Sequence, residues 1–429
     1  MARRERWLTR PVLAWTLYDV ASSTFLAVVG TFFGLFFVTV VANDLPGAQG
    51  RWGVIASLAL ALAGALAPFY GAWADRRGRM LGSLAAATAL CVIATVSMPF
   101  AGPGHVLLAA ALFIAAQLGY TLAVALYDSL LVRIAPRTHV GRVSAFGWTV
   151  GFAGGIVALL AALGVMHGVP ADAQAARLSI TFMVAGLLFA AFAIPGLLGL
   201  RGLAGLSSDC RTSGSGLRES YASVMDTLRH WRRHREVFRF LIGYYLINDV
   251  LVTVVFFIAI ILRARFGLSV EGLLLLALLY HVLASPATLV FGHAADRWGQ
   301  RPAIYVMIAI LGATLLLLAF GKGTTTPVVV VALLALVYGS IQAVCRSLFA
   351  LLVARDKTGE MFGFNAIAGR LSAALGPLIF GAVAAATGSE AAALVSLLAF
   401  LVAGAAMFGS LRIPSAELAV PALQGTRHP

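Results

Sequence analysis

The stretch Gly71-Ala-Trp-Ala-Asp75-Arg76-Arg77-Gly78-Arg79 separates two long apolar runs, and its pattern returns 221 residues later as Gly292-His-Ala-Ala-Asp296-Arg297-Trp-Gly299-Gln-Arg301. A repeat at that interval divides the chain into two halves. A short polar turn with glycine at each end lets one helix stop and its neighbour start at close range. The aspartate can accept hydrogen bonds from unpaired amides at a nearby helix N-terminus, while the arginines stay at the water or phosphate boundary.

What surrounds the two turns decides the class. Of the 429 residues, 61% are hydrophobic and 11% charged, with a mean hydropathy of +0.94, against roughly 25% charged in an ordinary soluble domain. The apolar segments are long enough to cross hydrocarbon, and glycine interrupts them in place of period-two alternation, which excludes an outer-membrane barrel. An all-α membrane protein follows. The net charge of +14 belongs to loops between spans, so it is explained by orientation in a membrane; there is no soluble basic domain to hold nucleic acid. Cys91, Cys210 and Cys345 are odd in number and far apart, which supports neither a disulfide framework nor a metal site.

Arg3, Arg4, Arg6 and Arg10 precede an apolar run over about 12–41 that is too long for a signal-peptide core, and it reads as an uncleaved first helix. Five more spans at about 52–74, 80–100, 106–135, 143–164 and 178–200 complete an N-terminal six-helix bundle within 1–200. Residues 201–236 form a basic linker in which Leu217, Tyr221, Leu228 and Trp231 recur at helical spacing, as in a helix lying on headgroups. Spans at about 237–263, 269–294, 302–320, 327–353, 361–386 and 389–411 make a second six-helix bundle within 237–412, and 413–429 reads as a mobile tail. With both termini cytoplasmic, 26 Lys and Arg lie on the cytoplasmic side and five on the other, namely Arg51, Arg177, Arg263, Arg265 and Lys322. That bias expects twelve spans with N- and C-termini inside.

Both turns resemble the loops between helices 2 and 3 and between helices 8 and 9 of the major facilitator superfamily. The opening Trp15-Thr-Leu-Tyr18-Asp19-Val-Ala-Ser22-Ser-Thr-Phe25 is similar to the first-helix signature of its vacuole-effluxer-like branch. So are Gly141-Arg142-Val-Ser144-Ala-Phe-Gly147-Trp148, Arg346-Ser347-Leu348-Phe349 and Phe362-Gly363-Phe364, which runs on to Gly369-Arg370. The chain departs at Ser22, where the branch usually carries Asn, and lacks a proline in the connection between helices 10 and 11. The resemblance implies two pseudo-symmetric bundles, no enzymatic activity, and solute transport by alternating access, with amino-acid efflux from the vacuole among eukaryotic relatives.

Charge inside hydrocarbon is costly, so each buried ionisable residue is a candidate for function. Asp19, Asp128, Asp249 and Arg346 stand out, and the resemblance puts them on helices 1, 4, 7 and 10, which line the central cavity of that fold. At 1.5 Å per residue, Asp19, Asp128 and Arg346 lie roughly 10 Å from the expected cytoplasmic ends and Asp249 roughly 18 Å. Aligning Gly141 with Gly359 also matches Asp128 with Arg346, so an ion pair across the pseudo-twofold axis is expected. Tyr18, Asn248, Gln342 and Arg370 complete the expected substrate or proton pathway. Gly71, Asp75, Arg76, Gly78, Arg79, Arg133, Arg142, Gly292, Asp296, Arg297, Gly299 and Arg301 form the expected conformational gate. Gln117 and Tyr120 are weaker candidates, and His281, without an acidic partner, reads as structural. Gly147, Gly151, Gly154 and Gly155 in helix 5, and Gly363, Gly369, Gly376 and Gly381 in helix 11, permit close approach and sliding, and Pro377 bends helix 11.

The expected function is secondary active transport of a small organic solute across the inner cell membrane. A monomer in lipid is expected, with protons as coupling ion and efflux of an amino acid or similar solute. Multidrug or organic-ion efflux is the alternative, and a non-transporting sensor or scaffold is the reading from another class. No nucleotide-binding loop of the form G-x-x-x-x-G-K-[ST] is present to supply ATP drive. No cofactor is implied.

Overall fold

Apolar runs in hydrocarbon satisfy their backbone only by folding as helices. The computed structural model shows that outcome over the residues it describes, which are 8–43, 45–76, 80–134, 140–170, 172–201, 235–352 and 375–411. The helices are α1 Arg10–Val41, α2 Ala48–Arg76, α3 Met80–Val96, α4 Val106–Ile134, α5 Val140–Met166 and α6 Gln174–Leu200. They continue with α7 Arg235–Phe266, α8 Val270–Trp298, α9 Gln300–Phe320, α10 Thr326–Leu352, α11 Leu375–Thr387 and α12 Glu390–Gly409. Eleven of these are long and apolar enough to cross a membrane. The described part of α11 has 13 residues, and the stretch expected to precede it, including Arg370, lies outside the described residues. The linker helix expected around Leu217 and Trp231 lies outside them too.

Glycine punctuates one face of the bundle. The connections between α1 and α2, α3 and α4, α5 and α6, α7 and α8, α9 and α10, and α11 and α12 each contain a glycine with positive φ: Gly47, Gly104, Gly168, Gly267, Gly323 and Gly388. These six tight reversals define the loop face. The opposite face carries the start of α1 and the end of α12 and is the terminal face. There Gly299, at φ 93°, ends α8 and begins α9. Gly71 and Gly292, the leading glycines of the repeated turns, sit inside α2 and α8, within the spans expected over 52–74 and 269–294. In the second turn it is the trailing glycine, Gly299, that reverses the chain, while the leading Gly292 simply prolongs α8.

In the first half α1 packs on α5 and α6, α3 on α4 and α6, and α2 on α4; in the second, α8 on α10, α9 on α10 and α12, and α7 on α11 and α12. Between the halves α2 meets α11, α5 meets α8 and the second part of α1 meets α7. The first two contacts are equivalent under exchange of the halves, as a pseudo-twofold axis requires. Helix α1 is uneven, with π-turns at Leu26–Gly30 and Phe37–Val41. Between them Phe33 packs against Trp52 and stacks on Phe113, with centroids 5.8 and 4.8 Å away, building an aromatic core toward the loop face.

Candidate functional site

The seam is tight at the loop face because small residues let backbones touch there. A Cβ placed on Gly53 of α2 would stand 2.6 Å from the Pro377 carbonyl oxygen and 3.0 Å from the Gly381 Cα of α11. Hydrogen bonds join the halves in the same layer. Trp52 Nε1 donates to the Phe256 carbonyl at 3.2 Å, Gln49 Nε2 to Glu390 Oε1 at 2.6 Å, and the Glu271 amide to Gln174 Oε1 at 3.2 Å. Nearer mid-depth, the His281 ring of α8 lies against Gly155 of α5, 2.6 Å from a Cβ placed there, and meets Phe152 edge-on at 6.0 Å. His281 Nδ1 is held by the Ala277 carbonyl at 2.8 Å. The histidine is therefore a seam residue whose partner is a glycine surface, and no search for an acidic partner could have found it.

Toward the terminal face the interior becomes acidic. Asp19 of α1 is half-buried and points at the glycine face of α5, with Oδ2 3.0 Å from a Cβ placed on Gly151 and 3.4 Å from one on Gly147. Gly154 on the same face touches the Val20 carbonyl, so these glycines are what admits the carboxylate between the two helices. The Ser22 hydroxyl donates to the Asp19 carbonyl at 3.1 Å and lies beside its carboxylate. Asp128 of α4 is exposed, and its charge reaches Asp19 and the phenols of Tyr120 and Tyr127. Two carboxylates in mutual reach disfavour one another unless a proton or a cation is shared between them.

Tyr120 carries the site across the seam. It stacks on Phe25 with centroids 4.9 Å apart and lies within electrostatic reach of Tyr338 on α10. Tyr338 meets Tyr280 of α8 edge-on at 6.1 Å, and Gln342 stands within reach of its hydroxyl. The result is an aromatic girdle from both halves beside two acids. Sequence alone ranked Tyr120 low and passed over Tyr280 and Tyr338, since mid-helix tyrosines carry no spacing signal.

The other expected residues are placed as follows. Tyr18 is fully buried, its hydroxyl paired with Thr88 Oγ1 at 2.6 Å and its ring stacked on Tyr127 at 5.2 Å, so it faces α3 and α4. Trp15 Nε1 donates to the Tyr127 carbonyl at 3.0 Å. Asn248 is half-buried on α7, and its neighbour Asp249 is 1% exposed. In the second turn Arg297 is exposed, and Arg301 donates to the Leu411 carbonyl at the end of α12. The side chains of Asp75, Arg76, Arg133, Arg142, Asp296 and Arg346, and all of Gly78, Arg79 and Arg370, lie outside the described residues, as does the expected pairing of Asp128 with Arg346. Among the described residues no group of three His, Cys, Asp or Glu could hold a metal ion.

A family model for proteins described as vacuole effluxer Atg22 like matches residues 54–417. The chain belongs to the vacuole effluxer Atg22-like family. It is also 26% identical over 405 residues to YxiO, an MFS-type transporter of Bacillus subtilis, covering 92% of this chain and 93% of that one. Among solved structures, an inward-open form of the xylose transporter XylE from E. coli superposes with a TM-score of 0.70 at 14% identity, over 95% of this chain and 97% of that one. The nucleoside transporter NupG gives a TM-score of 0.71 at 13% identity, over 94% and 98%. The fold is that of the major facilitators. The chain is a multi-pass membrane transporter of that type, and its relatives are transporters, not enzymes.

Proposed function

We propose that the chain exports a small organic solute bearing an amino or other cationic group from the cytoplasm across the inner cell membrane, coupled to protons and acting as a monomer. The observation that carries this reading is the Asp19–Asp128 pair beside the Tyr120, Tyr338 and Tyr280 girdle, with ligands from both halves. Carboxylates favour a cation in a partly dry site, and tyrosine faces add to its binding. Because both halves contribute, rocking one against the other changes which side the site faces. Among the described residues the hydrogen bonds between the halves lie toward the loop face, which supports a conformation open toward the terminal face, and the charge bias supports a cytoplasmic location for that face with twelve spans in all. The gate motif then acts from the cytoplasmic side.

The aromatic share of the site favours a second reading, efflux of larger organic cations. One experiment separates the two. Proteoliposomes are offered amino acids and quaternary organic cations with and without an imposed pH gradient. Gradient-dependent flux of amino acids supports the first reading, flux of the organic cations alone supports the second, and flux of neither contradicts both. Labelling of Cys210 by an impermeant thiol reagent tests orientation: modification from outside intact cells would reverse it.

A further inference from the structure

The central acids leave one carboxyl of the membrane interior unused. Asp249 lies midway along α7, 1% exposed, and neither Oδ1 nor Oδ2 makes a hydrogen bond. It faces the Gly376 amide of α11, and a Cβ placed on Gly376 would stand 3.0 Å from Oδ1 and would overlap Thr253 Oγ1. Thr253 is already committed, donating to the Asp249 carbonyl at 2.6 Å. The neighbouring elements bring no described charge to the carboxyl. Asp19 of α1 belongs to the other site, Glu390 of α12 sits at the loop face, and the described parts of α10 and α11 offer none. The Arg346 side chain and residues 353–374 lie outside the described set.

We infer that Asp249 is the site of the coupling proton, separate from the solute site at Asp19 and Asp128. The inference rests on the transport reading above and names where its driving ion binds. A carboxyl buried this deeply with no hydrogen bond to either oxygen is accommodated as the neutral acid. A sodium ion would need several further oxygens in its shell, and among the described residues the carboxyl has beside it the Thr253 hydroxyl and the Asp249 carbonyl, which are already bonded to each other. A proton needs one oxygen. The step balances simply: the carboxylate takes a proton from water on one side, the O–H bond breaks after the halves rock, and the proton passes to water on the other. Gly376 packs directly on Asp249 and Thr253 with no side chain between them, so this contact is where α11 can part from α7.

The test compares solute-for-solute exchange with gradient-driven accumulation in proteoliposomes of the full chain. Asp249→Asn is expected to keep exchange within about twofold of wild type and to lose accumulation at least tenfold, because the amide imitates the neutral acid and cannot release a proton. Accumulation at the wild-type level, or an equal loss of exchange, overturns the inference. A second measurement needs no variant. Dicyclohexylcarbodiimide adds to protonated carboxyls in apolar surroundings, and mass spectrometry should find its adduct on Asp249 of the wild-type protein. The adduct is expected to fall as pH rises and to ignore sodium at fixed pH. No adduct at Asp249, or suppression by sodium, overturns the proton assignment. If the wild type moves no solute at all, the transport reading fails and the carbodiimide result alone decides whether Asp249 holds a proton.

Discussion

Each half of the molecule seats a carboxylate of its first helix against a glycine of its fifth, but the two seats differ in what surrounds them. Asp19 on α1 faces Gly151 and Gly147 of α5, has the Ser22 hydroxyl beside it and senses the exposed Asp128. Asp249 on α7 faces Gly376 of α11, deeper along its helix, and is closed off with both oxygens unpaired. The same packing device therefore yields an open acidic site in one half and a dry one in the other. Symmetry supplies the scaffold and the local surroundings set the chemistry, with solute assigned to the first seat and the proton to the second.

The comparison breaks most sharply at Asp19. Asp19→Asn removes a charge-assisted contact to a cationic solute worth about 1.5–3 kcal/mol, so solute exchange should fall between about tenfold and a hundredfold. Unchanged exchange would move the solute elsewhere. A smaller effect is expected from the glycine walls. Gly376→Ala drives a methyl into Thr253 and the Asp249 backbone and should cost about 1–3 kcal/mol, read as a lower melting temperature in detergent. Gly151→Ala meets the Asp19 carboxylate at 3.0 Å and Ser23 Oγ at 3.3 Å, side-chain ends and no backbone, and should cost less; equal costs would mean that the two seats are equally closed.

The seam offers an intermediate test. Gly53→Ala puts its methyl on the Pro377 carbonyl, so closure at the loop face should weaken. Spin-label distances between positions 47 and 388 should then shift toward longer values, and an unchanged distribution would show that this contact does not set the conformation. The smallest effect is expected for Tyr18→Phe, which deletes the bond to Thr88. It should cost about 0.5–1.5 kcal/mol of stability with exchange intact, whereas lost exchange would return Tyr18 to the solute pathway.

Much of this architecture was legible beforehand because hydrophobic length reports the spans directly: the expected boundaries of α3, α4 and α9 at 80, 106 and 320 coincide with those observed. The repeated turn marked the two halves, and Gly299 reverses the chain where the pattern placed a turn. The acids on α1, α4 and α7 were visible as charges in apolar runs. Their differences were not, because hydropathy does not report how a helix is rotated about its axis. That rotation exposes Asp128, seals Asp249 and turns Tyr18 toward Thr88. The cross-seam pairing of His281 with Gly155 and the reach of Tyr120 to Tyr338 depend on tertiary approach between segments more than a hundred residues apart, and no local pattern encodes it.

The division of labour between the two seats is tested most directly by equilibrium binding of the transported solute to purified protein. The account predicts that Asp19→Asn weakens binding at least tenfold while Asp249→Asn leaves it within about twofold of wild type. Equal weakening by both substitutions, or weakening by Asp249→Asn alone, would contradict it.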